Sequence, residues 1–275
     1  MKVMVYCRDC LKTLARQAVT LSRGDEALVA SAVRLVDALF ESGRSPTQIS
    51  NRLLKYVKRE TGVYDAYSER KTVEFRRAME AVQRLKGFFP DTFEGALRSS
   101  AFGNGGDFFV DHSYDPDLFF FRGDVAKIER QVYTSEKILI LGDNPGDFLF
   151  DIPLVNLLVK GGKEVFYGVK EHPVQNDMSM ADVARFGTEA MGGHIISTGT
   201  DEVGINWADM AGRIKECWED GSPVIAKGMG NYEAISEFDG ERPVIYVMKV
   251  KCRSVAETLG REIGEYIAIA GGEHG

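Results

Sequence analysis

Two stretches of the chain set oxygen-bearing side chains directly behind short apolar runs. The run Lys137-Ile138-Leu139-Ile140-Leu141 leads into Gly142-Asp143-Asn144-Pro145-Gly146-Asp147, and a second run, Glu164 to Val169, leads into His172-Pro173-Val174-Gln175-Asn176-Asp177. If each run is a buried strand, both turns lie at strand carboxyl ends, the edge where open parallel sheets bind ligands. Carboxylates and amides are hard oxygen donors, which suit magnesium- or manganese-like cations. Further along, Lys227-Gly228-Met229-Gly230-Asn231-Tyr232-Glu233 and Lys249 with Lys251 follow two more apolar runs, adding the cations that phosphate oxygens favour. Gathered on one rim, these groups predict metal-assisted phosphoryl chemistry.

Each turn has a plainer reading beside this one. Asp143-Asn144 before Pro145-Gly146 is also ordinary turn chemistry, and Asn176-Asp177 before Ser179 also reads as a helix cap. Lys227-Gly228 also reads as a solvated turn, and His172 as a packed loop residue. Asp147 and Asp151, four apart, share a helix face; that face either supports the metal turn from behind or is simply solvated.

The elements that must position these groups fall into two textures. From Cys10 to Ser100 the periodicity is helical, over 10–21, 25–41, a third helix opened by Ser45-Pro46-Thr47, 69–86 and 92–100. After residue 135, short runs rich in Val and Ile alternate with helical segments, the pattern of repeated β-α units and a parallel sheet. Strands are expected at 137–141, 164–169, 194–197, 223–226 and 244–249, with helices near 147–160, 179–191, 207–219 and 254–269. Residues 101–136 join the two parts. The expected organisation is a helical N-terminal domain over 1–105 and an α/β/α domain over 106–275.

The totals bound the function. The chain has 275 residues, 44% of them hydrophobic, and a formal net charge of -7, ordinary for a soluble globular protein and a poor match to nucleic acid or an anionic membrane. No apolar stretch nears the roughly 20 residues of a membrane span, and the N-terminus has no secretory pattern, so a cytoplasmic location is expected. The four cysteines, Cys7, Cys10, Cys217 and Cys252, make no disulfide framework. Cys7 and Cys10 form a lone C-x-x-C, readable as a redox pair, half a metal site or two semi-buried thiols. There is no P-loop, no dinucleotide fingerprint and no nucleophile elbow. Pro145 stands where aspartyl-phosphate enzymes carry a second Asp, so attack by an activated water is expected rather than a covalent carboxylate.

In this order, the Leu141–Asp147 turn with Asp151, Pro173–Asp177, Lys227–Glu233 and Met248–Cys252 resemble the motifs of the damage-control phosphatases (ARMT1-like). Phe102-Gly103-Asn104-Gly105-Gly106-Asp107 resembles that family's upstream Gly-Asn-x-x-Asp segment, and the resemblance spans nearly the whole chain. It implies a Rossmann-like three-layer α/β/α domain behind an all-helical N-terminal domain, and hydrolysis of small phosphorylated metabolites. Carried over, Asp143, Asn144 and Asp177 hold a divalent cation (manganese, cobalt, nickel or magnesium). Lys227, Asn231, Asn104 and Lys249 face the phosphate, with Asp147 and Asp151 as support. The family usually has Glu at the position of Asp147. Its prokaryotic branch shares the N-terminal C-x-x-C, which makes Cys7, Cys10 and Cys252 a second metal site or a redox group. Two rivals are a metal-stabilised protein that binds a phosphorylated ligand without turnover, and a thiol redox protein.

Overall fold

A computed structural model describes residues 1–106, 114–187, 189–206, 210, 212–240 and 242–271. Three helices, α1 (Val5–Leu21), α2 (Glu26–Phe40) and α3 (Pro46–Thr61), pack around Ala15, Val19, Ala32, Val36, Ile49 and Leu53. Ser45 caps α3 by accepting from the Gln48 amide, and Pro46 takes the first turn, where its missing N–H costs nothing. Two more helices follow, α4 (Ser68–Arg84) and α5 (Phe93–Gly103).

The rest is β1 (Phe121–Gly123), α6 (Val125–Val132), β2 (Lys137–Leu141), α7 (Pro145–Lys160), β3 (Glu164–Val169), α8 (Met180–Phe186), β4 (His194–Ser197), α9 (Gly212–Glu219), β5 (Val224–Lys227), α10 (Gly228–Ile235), β6 (Val244–Lys249), α11 (Arg253–Leu259) and β7 (Tyr266–Ala270). The strands form one sheet in the order β1-β7-β6-β5-β2-β3-β4, parallel throughout except for β6 against β7. Strand alternation buries both faces. Ile138 and Ile140 point into a core shared with α5, α6 and α7, whereas Leu139 and Leu141 point into one shared with α9, α10 and α11. The mixed α/β class and mainly parallel sheet are those expected. Packing also ties α5 to the sheet, because Phe93, Ala96, Leu97 and Ala101 belong to the same core as Ile138 and Ile140.

Three expectations need correction. The helix expected over 254–269 stops at Gly260, which ends α11 at φ 59°, and 266–270 is the antiparallel strand β7. The helix expected over 179–191 ends at Phe186, where Gly187 turns the chain at φ 76°. The segment after Lys227 is helix α10 rather than a turn. Of the helix expected over 207–219, residues 207–209 and 211 lie outside the described residues, as does Asp107.

The sheet reverses its winding at β2. From there the chain runs outward to β3 and β4, then returns to β5 on the other side of β2. At such a switch point two crossovers diverge and leave a crevice at the carboxyl edge. Asp143 follows β2 and Lys227 ends β5, so both stand at that crevice.

Candidate active site

Asn144 caps α7. Its Oδ1 accepts from the amides of Gly146 and Asp147 at 2.9 and 3.0 Å, with Pro145 in the first turn. Its Nδ2 donates to Asp147 Oδ2 at 3.0 Å. The amide oxygen proposed from sequence as a ligand is therefore already engaged in starting the helix. Asp143, one residue earlier, accepts from Asn104 Nδ2 at 2.8 Å, and the same Nδ2 donates to Asp147 Oδ2 at 2.7 Å. Asn104 Oδ1 accepts from the Lys249 amide at 3.0 Å. Asn104 thus spends its side chain orienting two carboxylates and pinning β6, rather than facing an anion.

Behind this rim lies a dry ionic cluster. Lys227 Nζ donates to Ser100 O at 2.6 Å and to Asp147 Oδ1 at 3.0 Å, and pairs with Asp151 Oδ1 at 3.1 Å. Ser100 and Tyr167 hydroxyls donate to Asp151 at 2.6 and 2.7 Å. Lys227, Asp147 and Asp151 have no exposed surface, which rules out the solvated-face reading of the two aspartates. Burial works to lower the Lys227 pKa, but the two carboxylates override it and raise it. Burial pushes Asp151 up to about 6, with the Asp147 charge helping and Lys227 opposing. With three partners, the ammonium is saturated beneath the rim.

Gly228 explains how the turn and β5 come so close. It sits at φ +73°, and a Cβ built there would fall 1.9 Å from Asp143 Oδ2, so only glycine fits between. Asn231, one turn on, donates to Lys227 O at 2.8 Å, while its buried Oδ1 has no partner among the described residues. Asn231 therefore offers an acceptor, not a donor, to whatever approaches it.

The second turn meets the first through the Met178 amide, which donates to Asp143 O at 2.7 Å. Asp143, Asn176 and Asp177 line one cavity of about 470 Å³. Sequence reasoning missed two residues here. Glu74 of α4 is buried and accepts from Asn176 Nδ2 at 3.1 and 3.4 Å, fixing the turn that carries Asp177. Lys170 is buried at the end of β3, with Nζ 3.6 Å from Asp177 Oδ2. Its place directly after an apolar run was the available signal; nothing local marks Glu74. His172 is exposed and edges onto Tyr64.

Lys249 is buried, its Nζ 4.8 Å from the Tyr266 ring centre. Burial, then repulsion from Lys251, lowers its pKa to about 8. Among the described residues no carboxylate pairs with it. Cys7, Cys10 and Cys252 line the same cavity as Asp143, with Cys7 Sγ 3.2 Å from Ser254 Oγ. Burial raises the Cys10 pKa and takes Cys252 to about 11, which favours the protonated thiol at both. Cys217 is packed under α9.

The cation implied for the rim can be tested against its donors. Among the described residues no three His, Cys, Asp or Glu side chains gather closely enough to hold an ion. A cation here would rest on Asp143 and Asp177, an amide oxygen and waters. Magnesium-like ions accept such sparse ligation, and the orphaned Asn231 Oδ1 is an oxygen of the same hard kind. The donor set fits. No helix among the described residues is long and apolar enough to cross a membrane.

Comparisons with known proteins cover nearly the whole chain. The damage-control phosphatase ARMT1-like domain matches residues 3–267. A damage-control phosphatase from Pyrococcus horikoshii is 27% identical, covering 94% of both chains, and one from Archaeoglobus fulgidus is 24% identical, covering 98% of this chain and 99% of that one. An uncharacterised protein of Methanocaldococcus jannaschii is 33% identical over 138 residues, spanning 49% of this chain and 44% of its own length. The crystal structure of a DUF89 family protein from Pyrococcus horikoshii superposes with a TM-score of 0.85 at 26% identity, covering 98% of this chain and 99% of that one. With the family model matching residues 3–267, the chain belongs to the damage-control phosphatase ARMT1-like family.

Proposed function

We propose that the protein is a divalent-metal-dependent phosphatase of the house-cleaning type, acting on small phosphorylated metabolites. The observation that carries this is the convergence of Asp143 and Asp177, from successive strand ends, on one cavity above a saturated Lys227–Asp147–Asp151 cluster. Relatives named damage-control phosphatase support the hydrolytic class.

Asp143 and Asp177 would hold the cation, with Asn231 Oδ1 as the amide oxygen in place of Asn144, whose own oxygen caps α7; manganese, cobalt, nickel and magnesium all suit such donors. Bound there, a divalent ion polarises a phosphoryl oxygen and acidifies water. Asn104 and the gap at Gly228 hold Asp143 at one angle, while Glu74 and Lys170 hold the Asp177 turn. Lys227 contributes a fixed positive charge from below rather than a hydrogen bond to substrate. Lys249, a buried cation with no carboxylate partner among the described residues, is the group we assign to the phosphate oxygens. In this reading the cysteines form part of the cavity wall.

The test is release of phosphate from p-nitrophenyl phosphate across the four metals. Activity lost to a chelator, restored by metal and abolished in Asp143→Asn supports the reading. Full activity in that variant, or saturable binding of phosphate esters with no release, overturns it.

A further inference from the structure

The cavity is far larger than its ionic rim requires. Its volume of about 470 Å³ lies in the range of roughly 300–1,000 Å³ that encloses whole organic ligands. A phosphoryl group on a three-carbon sugar would leave most of it to water. Asp143 and Asp177 occupy the side formed by the turns after β2 and β3, Glu233 of α10 adds a third carboxylate to the lining, and the facing side is built by α1 and α3 of the N-terminal bundle.

That facing wall has a definite chemistry. Leu11 and Leu14 supply apolar surface, and Gln17, Thr47 and Ser50 supply neutral hydrogen-bonding groups. None of the residues lining the cavity from α1 and α3 is an acidic or basic side chain of the Asp, Glu, Lys, Arg or His type, and burial raises the Cys10 pKa. Of the two cations beyond it, Arg253 is tied to Glu257 at 2.6 Å and stacked on Tyr6 at 3.9 Å. The other is Lys251, which follows β6. A second anionic group seated against α1 and α3 would have to lose its hydration with no counter-charge on either helix, which is costly. An uncharged body with some apolar surface would not.

We infer that the site takes a phosphate monoester whose organic part is nucleoside-sized, uncharged and partly apolar, seated against α1 and α3. This rests on the phosphatase reading of the rim. Gln17, half-buried on α1, is the specificity residue best placed to test it, because it lines the wall outside the bundle core.

The experiment measures calorimetric affinity, in manganese, for three hydrolysis-resistant phosphonates: a glycerol-sized alkyl phosphonate, a nucleoside phosphonate and the same nucleoside with a second phosphonate. The nucleoside monophosphonate should bind at least tenfold tighter than the other two. Gln17→Trp, which fills the wall, should cut its advantage over the small compound at least fivefold, and Thr13→Trp, an exposed position one turn away, gives a second reading should the first variant fold poorly. Equal affinities, a preference for the doubly charged compound, or an advantage unchanged in both variants would overturn the inference. Phosphate release from the matching esters is read separately. Release without size preference sinks the wall and keeps the phosphatase; size-selective binding without release sinks the phosphatase and keeps the wall.

Discussion

The rim at β2 and β5 and the wall from α1 and α3 face the same cavity but are built on opposite principles. On the rim almost every polar atom already has a partner. Asn104 serves two carboxylates, Lys227 two carboxylates and a carbonyl, and Asn144 two amides and Asp147. On the wall the side chains are neutral and lightly tied. The contrast teaches that the geometry of the rim is held by mutual satisfaction of buried charge, whereas the wall is surface that can change without leaving a charge unpaired.

The largest effect should come from breaking the cluster. Lys227→Met leaves Asp147 and Asp151 buried without their cation, and we expect a loss of about 3–5 kcal/mol in denaturant unfolding. Adding Asp147→Asn and Asp151→Asn should return most of it, since the penalty is the unpaired charge and not the missing lysine. Gly228→Ala separates fold from function. Left-handed backbone strain of about 1–2 kcal/mol is a modest unfolding cost, yet the added methyl displaces Asp143, and turnover should fall roughly a hundredfold, on the scale of losing a transition-state contact.

Lys249→Met should raise KM for phosphate esters about tenfold, as expected for losing one charge-assisted contact. The wild-type enzyme should show the same loss as pH rises through about 8, where the Lys249 ammonium gives up its proton. The KM profile of the variant should be flat there. Asp151→Asn should have the smallest effect. Because Asp151 has a folded pKa of about 6, above the ordinary carboxylate value, the native state holds that proton more tightly than the unfolded chain does. Its stabilising contribution is whole below about pH 4 and fades as pH climbs through 6. Melting temperatures at pH 4.5 and 7 should show that decline in the wild type and a shallower one in the variant.

The strands were legible where their apolar runs were unbroken. Those at 137–141, 164–169, 194–197 and 244–249 fall at the expected residues because a strand covered on both faces needs no polar alternation. β7 was not, since Tyr266-Ile267-Ala268-Ile269-Ala270 followed a helical pattern with only Gly260 and Gly264 to mark the break, and its pairing with β6 is a tertiary choice. The same limit applies at the site. The four-residue spacing of Asp147 and Asp151 announced a shared face, and Asp143 and Asp177 announced a rim. That Lys227 would be consumed by those two aspartates, or that Glu74 would hold Asn176 from a distant helix, depends on side-chain meetings across more than 75 residues that no local pattern encodes.

The missing side chain at Gly228 reaches beyond its own position. With Asp143 wedged against bare backbone, neither partner can be exchanged alone, and any enlargement there must be met by simultaneous retreat of the strand-end turn. A substitution at an exposed position of the N-terminal helices, by contrast, leaves that wedge untouched.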